Sequence, residues 1–441
     1  MNKIEKNFYL KFLLASTWVS FFLSINLNPI EFFEYNLIGK VRLVLPLILS
    51  IIFILVKIRK IKIKNFFVHY SYFFYLIFFL YIFFTLTSPN NNNLNIYWPL
   101  YMLLSFFILH NFLNSEEKLT IFKLTIMIIA LGFAFYFSAS ILEMITNPRS
   151  HFYGVMGHDS SYFGFKYPPR SSGLARLALI LFSFVLYYYL INKKKKNYIL
   201  LFLLAFLGIF SLIYQSRTIS FIYILLNIFT ILFYFKKFFF DKRLLIFALI
   251  IPFLVNFSYN YFLIHKAIPI KEKINISENR TNIFEDRTDI AINAFNNILL
   301  RDQNNYKKNP SRFSSDRFYN WKKAYNIIKK NYLKGYGAQA DRLLIDQSIH
   351  NSILYTTLAA GIVGGLAIIF IYIYSLILLI KFYFTDAYKL NNSPLMHFAA
   401  SILFIICLRS FLETSIAVFS IDFLVYIIAL LFFSERLKKY Q

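Results

Sequence analysis

Apolar runs close to the roughly 20 residues that cross a bilayer as a helix recur along the whole 441-residue chain. They fall at about 8–26, 42–57, 66–87, 96–113, 120–144, 173–191, 198–215, 219–235, 244–262, 361–382, 395–413 and 416–433, which predicts about twelve spans. Few of the runs alternate strictly and several are apolar all round, so the pattern predicts helices rather than barrel strands. Composition agrees. Hydrophobic residues make up 58% of the chain and charged residues only 15%, which excludes both a disordered chain and an ordinary soluble enzyme.

The net charge of +26 points on its own to a nucleic-acid binder. Its distribution argues otherwise. Short loops carry Lys3, Lys6 and Lys11, then Lys57, Arg59, Lys60, Lys62 and Lys64, then Lys193 to Lys196, then Lys236, Lys237, Lys242 and Arg243, and finally Arg436, Lys438 and Lys439. The alternate loops are poor in charge, and Ser88 to Asn93 has none. By the positive-inside rule both termini are cytoplasmic and the number of spans is even. The first segment has a charged start but no small-residue cleavage site, and reads as a retained signal-anchor. Part of the lysine excess also fits the codon drift of an AT-rich genome, as do the 55 Phe and 33 Tyr.

Two outer segments are too polar to span: Thr146 to Ser172, and Leu263 to Ile349 with sixteen Lys/Arg against nine Asp/Glu. The expected organisation is therefore an N-terminal scaffold at 1–145, a first outer loop at 146–172, spans at 173–262, a large loop at 263–360 and C-terminal spans at 361–441. In the large loop, Ser314 to Asp316 form an N-cap cluster. After it, Phe318, Trp321, Ala324, Tyr325 and Ile328 recur at helical spacing with lysine pairs opposite, which predicts a basic amphipathic helix. Gly335 and Gly337 are expected to end it, and Gly361, Gly364 and Gly365 to allow close packing where the chain re-enters the membrane. The one cysteine, Cys407, excludes a disulfide framework. His151, His158 and Asp159 are metal-ligand types whose spacing matches no zinc site, so no metal is expected.

The order Arg317, Trp321, Lys334-Gly335-Tyr336-Gly337, His350-Asn351-Ser352-Ile353-Leu354 and Gly361-Ile362-Val363-Gly364 resembles the O-antigen ligase and O-antigen polymerase superfamily. Pro169-Arg170-Ser171-Ser172-Gly173-Leu174-Ala175-Arg176 resembles its Arg-x-x-Gly segment, and Gln215-Ser216-Arg217 its Ser-Arg pair. The motifs cover about 165–370. The resemblance implies an all-α polytopic protein of the bacterial inner membrane that moves a glycan from undecaprenyl diphosphate to a sugar hydroxyl, either lipid A-core or a growing glycan. It implies no nucleotide, cofactor or nucleic acid.

The residue types suit that chemistry. A diphosphate leaving group needs fixed cations, and the planar guanidinium of arginine matches phosphate oxygens. Arg170, Arg217 and Arg317 are the candidates, with Arg176 and Arg409 behind them. An attacking hydroxyl needs a base that is neutral near pH 7, which nominates His350. Trp321, Gly335, Gly337, Asn351 and Glu413 are supporting residues. Structural alternatives stand beside these roles. His350 could cap a helix, Arg217 could snorkel, and Arg409 and Glu413, four apart, could simply neutralise each other. Polymerisation or glycan transfer to protein shares the same motifs. A secondary transporter predicts an internal repeat and mid-membrane ionisable residues, and a flippase predicts cations along a central cavity.

Overall fold

A computed structural model describes residues 10–18, 35–57, 70–89, 91, 93–146, 171–191, 198–213, 216–234, 242–258, 317–385 and 393–438. Among them every regular element is helical. The helices are α1 (10–18), α2 (Tyr35–Lys57), α3 (Ser71–Thr87), α4 (Tyr97–Asn111), α5 (Ser115–Thr146), α6 (Ser171–Ile191) and α7 (Tyr198–Ile213). They continue with α8 (Arg217–Tyr234), α9 (Arg243–Ser258), α10 (Arg317–Lys330), α11 (Ala340–Ile345), α12 (Ser352–Phe384), α13 (Pro394–Ser410) and α14 (Ile421–Leu437). Among the described residues each apolar run read from the sequence overlaps a helix. Three helical stretches, Ser115–Phe135, Gly173–Ile191 and Ser352–Phe384, are long and apolar enough to cross a membrane, and six shorter helices are apolar as well. The chain is a helical membrane protein.

The core forms around α14, which is buried from Ile421 through Ser434 on every side. A helix apolar all round has no face to offer water, so it takes the centre. Helices α4, α5, α12 and α13 pack against it, and α6 lies against both α5 and α13. Aromatic rings fill these seams: Phe122 stacks on Phe398 at 5.4 Å, and Phe229 stacks on Phe404 at 4.6 Å.

Helix α12 is two helices joined at a break. Gly361 has φ 70° and ψ −178°, a conformation closed to L side chains. The helix therefore begins nine residues before the run at 361–382 and absorbs the end of the segment expected to be loop. A break inside an apolar environment leaves backbone groups without partners, and each must find one. The chain from Tyr332 to Gly337 supplies them. Tyr336 N donates to Leu358 O at 3.0 Å, Gly337 N to Ala359 O at 2.9 Å, and Ile362 N to Tyr332 O at 2.8 Å. A similar repair occurs in α9, where Pro252 has no N–H for the Ala248 carbonyl and the Tyr223 hydroxyl donates to it instead.

The docking of this segment corrects the reading of Gly335 and Gly337 as a helix stop. Helix α10 has already ended at Lys330. A Cβ on Gly335 would lie 2.3 Å from Ala359 O, and one on Gly337, at φ +80°, would lie 2.5 Å from Thr85 Cα. The glycines let one backbone lie directly on another. Asn91 holds the same segment from α3's side, donating to Tyr336 O at 2.8 Å and Ala338 O at 2.9 Å.

Candidate functional site

Helix α10 is amphipathic, with Lys322, Lys323, Lys329 and Lys330 exposed as the sequence predicts. Its buried stripe differs from the expected one. Asn320 and Ala324 are buried and Trp321, Ile327 and Ile328 partly so, whereas Phe318 and Tyr325 are 66% and 58% exposed. The small Ala324 permits close contact with α12, and the stripe runs through it rather than through the flanking aromatic residues. The cap cluster Ser314 to Asp316 lies outside the described residues.

The inward stripe holds the turn that carries His350. Trp321 Nε1 donates to Ile349 O at 2.6 Å, and Asn320 Nδ2 donates to Gln347 Oε1 at 2.9 Å. From the other side Asp341, on α11, accepts from the N–H groups of Arg342 and Ile349. Burial raises the Asp341 carboxyl above the usual carboxylate range, against the pull of Arg342 and those N–H donors. Ile349, the residue before His350, is thus gripped at both its N–H and its C=O. His350 itself has φ 52°, an uncommon left-handed conformation for a residue with a side chain, and Asp346 in the same turn has φ 65°.

That backbone shape presents the imidazole to Glu413, in the turn between α13 and α14. His350 Nδ1 lies 2.7 Å from Glu413 Oε2, and Arg317 Nη2 donates to Glu413 Oε1 at 2.8 Å. Arg317 Nη1 reaches Thr218 Oγ1, at the start of α8, at 3.4 Å. Burial alone raises the Glu413 carboxyl. The hydrogen bond from His350 and the charges of Arg409, His350 and Arg317 outweigh it and hold the group down at about 2. A carboxylate can only accept, so Nδ1 carries a proton, and in a neutral imidazole the lone pair is on Nε2. Nε2 makes no hydrogen bond among the described residues, and the side chain is 38% exposed.

Asn351 caps α12, accepting from Leu354 N at 2.9 Å, and its amide donates to Phe411 O at 3.1 Å. Ser352 Oγ donates to Glu413 O at 3.0 Å. The helix is therefore capped by Asn351, and His350 is left to meet Glu413.

A second cluster adjoins the first. Asp422, 1% exposed at the start of α14, accepts from Arg176 Nη1 at 3.4 Å and pairs directly with Arg409, which also donates to Ser415 Oγ at 2.9 Å. The pair expected between Arg409 and Glu413 is not the direct one. α13 ends at Ser410, so Glu413 leaves the helical spacing and turns to Arg317 and His350. Arg176 Nε, Arg409 Nε and Asp422 Oδ1 are buried without a hydrogen-bond partner among the described residues. Among the described residues the two clusters hold three arginines and two carboxylates, an excess of one positive charge before His350 is counted.

The structure thus brings together His350, Arg317, Glu413, Arg176 and Arg409, with Trp321 and Asn351 as supports. Arg217 opens α8 beside Thr218, and its side chain is outside the described residues, as are Arg170, His151, His158 and Asp159. Among the described residues no three His, Cys, Asp or Glu side chains are grouped to hold a metal ion. Sequence reasoning missed Asp422, Thr218, Ser415 and Asp341. Asp422 had a signal, since an acid inside an apolar run is costly without a partner. The others are ordinary residues in sequence and acquire their roles through contacts. No protein-family model matches the chain, and no curated protein or solved structure is significantly similar to it.

Proposed function

We propose that the protein is an O-antigen ligase-like, inverting glycosyltransferase that moves a glycan from undecaprenyl diphosphate to a sugar hydroxyl at the outer face of the bacterial inner membrane. The observation that carries this reading is the His350–Glu413–Arg317 arrangement, a half-exposed imidazole with its proton held on Nδ1 and arginines on the same side. The acceptor hydroxyl gives its proton to His350 Nε2 as its oxygen attacks the anomeric carbon. The bond from that carbon to the diphosphate oxygen breaks with inversion, and the leaving group takes the electron pair. Glu413 stabilises the imidazolium that forms, and the arginines stabilise the charge developing on the diphosphate. Arg176, Arg409 and Arg317, joined by Arg170 and Arg217, are the diphosphate ligands in this reading. The unpartnered Nε donors of Arg176 and Arg409 support it.

Twelve spans with both termini cytoplasmic belong to the same proposal, and so does lipid A-core as the acceptor. A broken helix such as α12 also belongs to many transporters, whose unwound carbonyls coordinate ions. Here Leu358 O and Ala359 O are occupied by Tyr336 and Gly337, which favours a docked structural break.

A deletion strain examined by lipopolysaccharide electrophoresis tests the proposal. Loss of a ligase leaves bare core while full-length carrier-linked chains accumulate. Loss of a polymerase leaves core capped by a single repeat. A normal ladder restored by His350→Ala at wild-type expression overturns the general-base assignment.

A further inference from the structure

One cavity among the described residues is remote from this site. It is an apolar groove of about 770 Å³ with α6 as its floor, α5 and α7 as its walls and the start of α13 at one end. Leu181 and Val185 line the floor, Met127 and Phe137 one wall, and Lys123 and Pro394 the end at α13. The opposite end is closed by aromatic rings, where Phe137 meets Phe206 at 5.0 Å and Phe210 at 4.4 Å. Pro394 opens α13 and Arg409 lies in its last turn, so the groove mouth and the arginine clusters are at opposite ends of one helix. At about 1.5 Å per residue, Lys123 to Phe137 spans roughly 21 Å, comparable with one leaflet of hydrocarbon allowing for tilt.

We infer that this groove binds one anionic phospholipid of the leaflet facing away from the arginine clusters, with an acyl chain in the groove and the phosphate on Lys123. Three features select that occupant. The walls are mostly hydrocarbon and aromatic, which suits a chain. The groove is blind at the Phe137 end, so an amphiphile enters with its polar group at the mouth. A carrier lipid with its diphosphate on the arginines would have to enter through the closed end. The mouth is cationic: Lys123 lines it and is exposed. A lysine at a membrane surface favours an anionic headgroup. The inference is independent of glycosyl transfer.

The test is photocrosslinking of the full chain in vesicles of equal parts phosphatidylglycerol and phosphatidylcholine with a trace of undecaprenyl phosphate. Val185→p-benzoylphenylalanine places the reactive group on the groove floor, and adducts are weighed by mass spectrometry. The expected result is a phosphatidylglycerol adduct favoured several-fold over phosphatidylcholine. Lys123→Glu removes the preference, Lys123→Arg retains it, and Leu181→Trp, which fills the groove, lowers all lipid adducts at unchanged folding. Equal labelling of both phospholipids, a dominant polyprenyl adduct or chain-to-chain crosslinks would each overturn the inference.

Discussion

The two ends of α14 carry ionic clusters built on different terms. At its C-terminal end Glu435 pairs with Lys118 and accepts from Ser115, Arg436 pairs with Glu116 at 2.6 Å, and Lys11 pairs with Glu117 at 2.5 Å. Among the described residues three cations meet three carboxylates. Glu117 also accepts from Asn114 N at 3.1 Å while Asn114 accepts from Glu117 N at 2.8 Å, a reciprocal cap that starts α5. At the other end of α14, among the described residues, three arginines share two carboxylates, and a histidine whose Nε2 makes no hydrogen bond stands beside them. A balanced cluster that also caps a helix satisfies itself and ties α1, α5 and α14 together. The unbalanced one leaves the Nε donors of Arg176 and Arg409 without a partner among the described residues.

Four experiments break or sharpen that contrast, in order of expected effect. On the proposed function His350→Ala removes the general base, and transfer activity measured with lipid-linked glycan is then expected to fall roughly 10²–10⁴-fold at unchanged thermal stability. Asp422→Asn strips the counter-charge from Arg176 and Arg409, both largely buried. It is expected to destabilise the fold by about 3–5 kcal/mol, read as a drop in melting temperature. If the melting temperature holds, the arginines are not balanced by Asp422. Trp321→Phe removes the hydrogen bond to Ile349 O and loosens the strained His350. A loss in kcat on the order of tenfold with little change in KM is expected, corresponding to about 1–2 kcal/mol. Glu116→Gln, at a carboxylate 73% exposed in the balanced cluster, is expected to change stability by less than about 1 kcal/mol.

A pH titration separates the two ends as well. Glu413 is held well below the ordinary carboxylate value, so its contribution to stability is complete above that value. It is lost as the pH falls toward about 2. The melting temperature of the wild type should therefore drop more steeply across that acid range than that of Glu413→Gln. Parallel curves would mean that Glu413 is not charge-paired in the folded protein.

The site was partly legible in sequence. His350, Arg317 and Glu413 were nominated, but the link between them was not, because Glu413 is 63 positions from His350 and its nearest basic neighbour along the chain is Arg409. Local spacing suggested that neighbour. The end of α13 at Ser410 broke the spacing and freed Glu413 to turn elsewhere. The amphipathic face of α10 was misjudged for a related reason: spacing shows that a stripe exists, but the partner helix decides which stripe fits. Ala324 fits against α12, and Phe318 does not have to.

By itself the sequence determined that this chain is helical and membrane-embedded. Long apolar runs separated by short basic loops are local properties, and hydrocarbon accepts such runs only as helices that satisfy their own backbone. It also determined where chemistry could reside, because charged and imidazole side chains are scarce in so apolar a chain. Only the tertiary structure decided which charges meet. It seated Asp422 between two arginines, set two glycines against the break at Gly361, and bent His350 into the conformation that reaches Glu413. Those outcomes depend on helix packing, which brings together groups that no spacing rule along the chain connects.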